Sequence, residues 1–222
     1  MIHHHPFAPL RGLVSAAVAI MALAVTTGAL AQDMVEGRNY ARLKNPQPVE
    51  TGKNIEVIEF FSYGCPHCGE LEPKLQAWLK NKPADVQLRR IPVVFQPRWE
   101  NLARAYYTLE AMGEENKLSP EVFSAIHGQG IQLTNEKEFF EWTAAKGLDR
   151  KKVEELYASF TVVGKVNRAK QQAQVYQIQT VPTIIVDGKF VTGSERMPNG
   201  HAGVPAAIDA LVVKARAERP KS

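Results

Sequence analysis

Residues 55–75 read IEVIEFFSYGCPHCGELEPKL and contain both cysteines of the 222-residue chain, Cys65 and Cys68. The run at 55–61 is apolar and rich in β-branched and aromatic residues, which is typical of a buried strand. From Pro66 onward the apolar residues recur three and four positions apart, and a proline suits the first turn of a helix. The stretch therefore predicts a strand followed directly by a helix, with the two cysteines at the junction.

The flanking segments complete a small sheet. A second strand is predicted within 85–95, so the strand–helix–strand unit should hold two parallel strands joined by a right-handed crossover. Pro73 lies inside the predicted helix, where we expect it to produce a kink. Near the C-terminus, two β-rich runs flank Asp187 and Gly188, a pair typical of a hairpin turn, and a last helix is predicted from about 204 to 217.

Residues 98–165 show helical spacing without a strand signal. Ser119–Pro120 predicts the start of one helix, while Asn135 and Asp149 are the predicted N-caps of two more. A long helix predicted from about 162 to 176 leads back toward the hairpin. The predicted fold class is therefore α/β, with a sheet domain that is interrupted by a helical insert.

The N-terminal segment has the pattern of a secretory signal peptide. Arg11 is its only charged residue, an apolar run follows, and Ala29–Ala31 fits the small-x-small cleavage pattern. An uncleaved membrane anchor is the alternative, but Thr26–Gly28 interrupts the apolar run. We expect cleavage, a mature chain that begins near Gln32, and export to the periplasm. The predicted organisation is a signal peptide at 1–31, a sheet domain at 32–97 and 166–222, and a helical insert at 98–165.

The charge distribution excludes one class of partner. The chain carries 27 basic and 23 acidic residues, a formal net charge of +4, and the basic residues are scattered along it. No basic stripe interleaved with aromatic residues indicates a nucleic-acid surface, so we expect no nucleic-acid partner.

Three explanations compete for the cysteine pair: a metal site, a structural disulfide and a redox-active disulfide. A disulfide across a four-residue loop removes little entropy from the unfolded chain, so it stabilises little. A structural zinc site needs four ligands. The two cysteines and His67 would leave the fourth ligand to His127 or His201, both in loop-like contexts. We therefore expect no metal, interpret those two histidines as surface or capping residues, and favour a redox-active pair, which an exported chain can keep oxidised.

The helix start gives the two thiols different chemistry. The thiolate is the reactive form of cysteine, and unpaired N–H groups together with the helix dipole stabilise negative charge at Cys65. We therefore expect Cys65 to be the more exposed and more acidic thiol. His67 can add N–H donation or positive charge to the same thiolate. Cys68, one turn into the helix, is expected to be the buried, resolving thiol. A stabilised thiolate implies a stabilised reduced form, and hence an oxidising disulfide.

The combination of motifs resembles a known family. CPHC follows a buried EFFS strand, a helical insert comes next, and TVPT lies at 180–183. This pattern resembles the DsbA family of periplasmic thiol:disulfide oxidoreductases over nearly the whole chain after the leader, which implies a thioredoxin-like fold. The resemblance implies that Cys65 is the surface nucleophile and Cys68 its buried partner. It also implies that Pro66 and His67 tune the redox potential.

The resemblance assigns roles to further positions. Pro182 corresponds to the cis-proline that faces the disulfide in thioredoxin-like folds, and the Val181 backbone would pair with a bound client peptide. Taken alone, Pro182 would also suit an ordinary strand entry. Glu59 corresponds to an acid beneath the disulfide that relays the proton of the buried thiol, with Arg90 as its partner; a solvent-facing edge position is the alternative. Gly64 stands where familiar members often carry a bulky residue, so we expect a wider groove beside the disulfide.

The resulting functional prediction is an exported dithiol oxidase that introduces disulfides into reduced, unfolded exported proteins. The alternatives are an isomerase or reductase of the same superfamily, or a non-catalytic zinc- or peptide-binding module. Val181 argues against an isomerase, because isomerase relatives often have threonine there. The short segment before the first strand argues against a dimerisation domain, and we expect a monomer. The resemblance implies no cofactor, and reoxidation by a DsbB-like, quinone-linked oxidase of the inner membrane.

Overall fold

The structure, a computed structural model, describes residues 1–3 and 34–220. Apart from its first three residues, the predicted signal peptide lies outside these ranges. Within them, the helices are all too short or too polar to cross a bilayer.

A mixed sheet forms the centre of the molecule. Its strands occur in the spatial order β1-β5-β4-β2-β3 among the described residues, and only β2 and β3 run parallel. The strands are β1 Ala41–Arg42, β2 Ile55–Phe61, β3 Val86–Pro92, β4 Thr183–Val186 and β5 Phe190–Thr192. The predicted strand–helix–strand unit and the predicted hairpin are therefore present. The two-residue edge strand β1 was not predicted, because a strand of that length carries no periodic signal.

Seven α-helices surround this sheet within the described part of the chain. They are α1 Pro66–Asn81, α2 Trp99–Met112, α3 Glu115–Phe123, α4 Glu136–Ala145, α5 Arg150–Tyr157, α6 Phe160–Val175 and α7 Val204–Glu218. Every element between α2 and α6 is helical, with one π-helical turn at Ser124–Gly128 after α3. Helix α1 continues through Pro73 as a single element.

The side chains of β2 pack into two apolar cores. All seven residues of the strand are buried, because other strands pair with it on both edges and helices cover both faces. Val57 packs in the cluster that includes α1 and α7, whereas Ile58 packs in the cluster formed with the helices between α2 and α6. Neighbouring side chains of a strand point to opposite faces, so a strand with both faces covered can contribute to two cores.

Most predicted caps and turns are present. The Asn135 side chain accepts from the backbone N–H groups at 137 and 138, and Asp149 accepts from the N–H at 152. Asp187 and Gly188 have φ angles of 52° and 61°, the left-handed conformations that a tight hairpin turn requires.

The predicted helix start at Ser119–Pro120 is wrong. Helix α3 begins at Glu115, and Pro120 lies inside it. A proline in a helix leaves the carbonyl four residues earlier without its N–H partner. Here the Asn116 carbonyl accepts from the Gln76 side-chain amide instead, at 3.3 Å, so a tertiary contact allows the helix to continue.

Candidate active site

Cys65 is the N-cap residue of α1, four residues after β2 ends. Its backbone is extended, with φ −100° and ψ 115°, and Pro66 occupies the first turn of the helix. The Cys65 carbonyl accepts from the N–H groups of Cys68 and Gly69 at 3.1 and 3.3 Å. The strand-to-helix junction therefore places the first cysteine at the end of the helix where backbone N–H groups are unpaired.

Both cysteines are free thiols and both are largely buried. Cys65 is 7% exposed and Cys68 is fully buried. Cys65 is therefore the more exposed thiol, as predicted, although most of its surface is covered. Pro66 and His67, which separate the two cysteines, are exposed.

The acidities of the two thiols diverge. The pKa of Cys65 is lowered to about 6, first because the Cys68 thiol hydrogen-bonds to its sulfur, and further by backbone N–H groups and the charge of His67. Burial alone would raise this pKa. The pKa of Cys68 is raised, chiefly by burial and then by its hydrogen bond to Cys65 and the nearby charge of Glu59. The sequence indicated the helix terminus and His67, but not the larger contribution of the second thiol.

The TVPT segment lies directly beside Cys65. The bond between Val181 and Pro182 is cis, and the Cys65 thiol donates to the Val181 carbonyl at 3.4 Å. Pro182 is buried and Val181 is half-buried. The fold thus brings together residues that lie more than a hundred positions apart in the sequence.

Glu59 lies in the interior, so the alternative of a solvent-facing edge position is wrong. It is 1% exposed and sits on β2, between β4 and β3, where its register partner on β3 is Arg90. Burial raises the pKa of Glu59 to about 7, although the positive charge of Arg90 acts in the opposite direction. A buried carboxyl group with this pKa can hold or release a proton near neutral pH.

A second buried acid, Glu72, completes this cluster and was not predicted. Arg90 makes a two-pronged contact with the Glu72 carboxylate, at 2.7 and 3.3 Å. Its Nε also lies 3.0 Å from Glu59 Oε2, but these two atoms are not aligned as a hydrogen bond. Arg90 therefore makes its hydrogen bonds to Glu72, while its positive charge acts on the nearby Glu59 carboxyl group. The available signal was an acid four residues after Cys68, within the apolar stripe of α1.

The space beside Gly64 is occupied. A Cβ atom on Gly64 would lie 2.5 Å from Nε1 of Trp99 and 3.1 Å from Cδ1 of Leu102. The expected widening of the groove is therefore wrong at this position, because the indole of α2 fills the volume that a larger residue would take. Of the two histidines interpreted as surface or capping residues, His127 is exposed and its Nε2 lies 2.8 Å from the Tyr63 carbonyl.

Comparisons with known proteins agree with this geometry. A family model described as a DSBA-like thioredoxin domain matches residues 56–202. The thiol:disulfide interchange protein DsbA of Bordetella parapertussis is 38% identical over 200 residues, covering 90% of this chain and 95% of that protein. DsbA of Pseudomonas aeruginosa is 37% identical over 216 residues, covering 96% of this chain and all of the relative.

Solved structures give the same picture. The crystal structure of Pseudomonas aeruginosa DsbA matches with a TM-score of 0.79 at 37% identity, over 84% of this chain and 97% of that one. The oxidoreductase NmDsbA1 of Neisseria meningitidis matches with a TM-score of 0.74 at 33% identity, over 83% of this chain and 95% of that one. The region matched by the family model includes both cysteines and the TVPT segment.

Proposed function

This chain belongs to the DsbA family, and from that membership we propose the reaction that its cysteine pair performs. The protein is a thiol:disulfide oxidoreductase. A client thiolate attacks Cys65 of the Cys65–Cys68 disulfide, which forms a mixed disulfide and releases the sulfur of Cys68. A second client thiolate then attacks the client sulfur, so the client gains a disulfide and Cys65 leaves as a thiolate. Two electrons pass from the client dithiol to the cysteine pair.

One observation carries this proposal: the sulfur of Cys65 sits at the N-terminus of α1, hydrogen-bonded, with its pKa lowered to about 6. A thiol with this acidity is a good leaving group at neutral pH, so release of Cys65 from the mixed disulfide is favoured. Cys68 is buried and its pKa is raised, so it persists as a neutral thiol. The pair therefore favours the reduced state and gives up its disulfide readily.

Glu59 is proposed as the proton relay for Cys68. When the disulfide opens, the released Cys68 sulfur must take up a proton inside the protein. Glu59 is close enough for its charge to raise the pKa of Cys68, and its own pKa of about 7 lets it carry a proton at neutral pH. Arg90 contacts both Glu59 and Glu72, so its positive charge offsets negative charge on the two carboxyl groups.

Val181 and Pro182 are proposed to bind the client next to the reacting sulfur. The Val181 carbonyl lies 3.4 Å from the Cys65 sulfur, so a peptide paired with this backbone would present its own sulfur to Cys65. Pro66 and His67, which follow Cys65, are exposed, so an approaching client can contact them. Their proposed role is to tune the redox potential.

The cellular setting and the chain organisation are likewise proposals. Similarity to DsbA proteins supports a periplasmic location and exported proteins as clients. A cleaved signal at 1–31 is proposed from the sequence pattern, an apolar run after Arg11 that ends at Ala29–Ala31. We further propose a monomer that is reoxidised by a DsbB-like membrane oxidase. We also propose a thioredoxin-like domain at 32–97 and 166–222 and an insert at 98–165. The helical elements from α2 to α5 fall within the insert, and the boundary at 165/166 falls inside α6.

The equilibrium of the cysteine pair with glutathione tests the proposed direction of transfer. We expect a potential near about −120 mV, which is typical of DsbA, because a stabilised thiolate makes the disulfide oxidising. A value near about −270 mV, typical of thioredoxin, would instead indicate a reductase. A Cys65→Ser variant is the control and should show no two-electron exchange.

Substitution of Glu59 tests the relay. In Glu59→Gln the reduction of the disulfide by a model dithiol should slow about tenfold or more, because general acid–base groups contribute at least that much. The loss should be largest near pH 7, where the wild-type acid exchanges its proton. An unchanged pH–rate profile, measured by stopped flow, would remove this role from Glu59.

A further inference from the structure

Three side chains beside the cysteine motif converge on one point. Glu70 Oε2 lies 3.2 Å from Nδ1 of His67 and 3.0 Å from Nε2 of His201. These three atoms all lie within 4.8 Å of one another. His67 and Glu70 are one turn apart at the start of α1, and His201 lies in the short 3-10 helix Gly200–Gly203 that precedes α7. The cluster therefore joins two distant segments of the chain.

This donor set differs from the one that the sequence suggested. There, a zinc site would have needed both cysteines, whereas here no cysteine contributes. Two imidazole nitrogens and one carboxylate oxygen are the ligands of a three-ligand zinc site with an open fourth position. Tetrahedral ligands at zinc bond lengths lie about 3.3 Å apart. The two separations to Glu70 are close to that value, and the two imidazole nitrogens lie within 4.8 Å of each other.

A neighbouring contact orients the least exposed ligand. Nδ1 of His201 is hydrogen-bonded to the hydroxyl of Ser194, and only 19% of the His201 side chain is exposed. When Nδ1–H donates to this hydroxyl, Nε2 carries the lone pair and is free to bind a cation. A hydrogen bond to the second ring nitrogen is the usual way in which proteins hold a metal-binding histidine.

The other two ligands are open to solvent. The side chains of His67 and Glu70 are 69% and 58% exposed, so an ion can enter without opening the core. Imidazole nitrogen selects zinc, copper, nickel and cobalt over magnesium and calcium, which prefer oxygen. Without a metal, His67 and His201 hydrogen-bond to Glu70, and an ion would take the place of the protons in those hydrogen bonds.

We propose that His67, Glu70 and His201 form a binding site for a divalent transition-metal ion, with Zn²⁺ as the reference ion and solvent at the fourth position. The site needs neither thiol, so binding of an ion can be measured separately from the proposed exchange reaction. An ion bound there would contact His67, which lies between Cys65 and Cys68. Metal binding would therefore occur on the surface that clients are proposed to approach.

The test is a titration with Zn²⁺ by calorimetry. It uses the full chain with the cysteines oxidised and with His3, His4 and His5 changed to alanine. In this background neither thiolates nor the N-terminal histidines can bind the ion. We expect one ion per chain, and a higher melting temperature when Zn²⁺ is present. Co²⁺ should give the visible absorption of a four-coordinate complex.

Three variants distinguish this site from other binding. His201→Ala and Glu70→Gln should each weaken Zn²⁺ binding at least about tenfold, and Ser194→Ala about tenfold through its effect on His201. His127→Ala is the matched control, because it removes a histidine outside the cluster and should leave binding unchanged. Glu70 is exposed, so Glu70→Gln remains informative if His201→Ala does not fold. Absent binding, binding only at millimolar Zn²⁺, or equal affinity in Glu70→Gln would each overturn the proposal.

Discussion

The chemistry of Cys65 is decided within a few residues. Its pKa is lowered first by a hydrogen bond from the Cys68 thiol and further by the backbone N–H groups of Cys68 and His67. The two cysteines are only three positions apart, yet the pKa of Cys65 is lowered and that of Cys68 is raised. The difference follows from burial and from the direction of the hydrogen bond between the two thiols. The redox behaviour of the pair is therefore a local electrostatic property.

The lowered pKa of Cys65 makes a prediction about stability. The unfolded thiol has a pKa near the ordinary value of 9.0 and the folded one about 6, so unfolding takes up protons between these values. The reduced protein should therefore gain stability relative to the oxidised protein as pH rises through 6, by about 1 kcal/mol between pH 5 and pH 7. Denaturant unfolding of both forms at several pH values measures this difference.

The comparison of two redox forms isolates Cys65. Glu59 is present in both, so its own titration largely cancels from the difference. The gain should disappear when the reduced Cys65→Ser protein is compared with the same oxidised reference. Parallel pH profiles for the reduced and oxidised wild-type protein would contradict the lowered pKa.

At this scale the sequence predicts motif residues better than their surroundings. Both cysteines and Pro182 were predicted, because motif and resemblance name them directly. Glu72 and the filling of the space beside Gly64 by Trp99 were not predicted. Both depend on how α1 and α2 lie against the sheet, which only the packed structure determines.

At the scale of elements, the helices of the insert are bonded to the site. The Tyr63 hydroxyl and the Ser119 hydroxyl are 2.6 Å apart, and both residues are buried. Tyr63 lies between β2 and Cys65, while Ser119 belongs to α3. This hydrogen bond therefore joins the loop that carries the nucleophile to a helix more than fifty residues later in the chain.

A double-mutant cycle should detect this bond. Tyr63→Phe and Ser119→Ala should each reduce the free energy of unfolding by about 1–3 kcal/mol, because each leaves a buried hydroxyl without its partner or removes the bond. The double variant should cost less than the sum of the two, since neither hydroxyl then remains unpaired. Chemical denaturation of the four proteins supplies the numbers. Strict additivity would mean that the two groups do not interact.

Element predictions succeeded where the signal is local. The strand at 55–61, the crossover helix and the Asp187–Gly188 turn follow from periodicity and turn chemistry. The helix start assigned to Ser119–Pro120 failed, because proline after serine usually marks a helix start, whereas here Gln76 compensates the interior proline from another helix. Long-range contacts of this kind leave no trace in a short window of sequence.

At the scale of the whole molecule, Arg219 connects the C-terminal end of α7 to the sheet through hydrogen bonds. Its guanidinium bonds Asp187 in the hairpin turn, and also the backbone carbonyls of Lys53 and Asn54 just before β2. Asp187 is 3% exposed, and its other cationic partner is Lys189. Three segments distant in sequence thus meet at one side chain.

Two arginines near the C-terminus offer a matched comparison. Arg219→Ala should lower the free energy of unfolding by about 2–3 kcal/mol, because it leaves a buried carboxylate with one remaining partner. Arg216→Ala breaks an exposed pair with Asp85 and should cost at most about 1 kcal/mol. Denaturant midpoints of the two variants test the ranking. Equal losses would show that burial of Asp187 does not control the contribution of its partner.

The indole of Trp99 has a practical consequence, because it presses against the residue that precedes the reacting sulfur. Disulfides quench excited indoles at short range, whereas thiols do so much less. Trp99 can thus serve as an intrinsic fluorescent probe. Its fluorescence should increase when the Cys65–Cys68 disulfide is reduced and decrease when the disulfide forms. Each turnover can then be followed in real time without a dye, and Trp99→Phe, which keeps Trp78 and Trp142, gives the reference signal of the other two indoles.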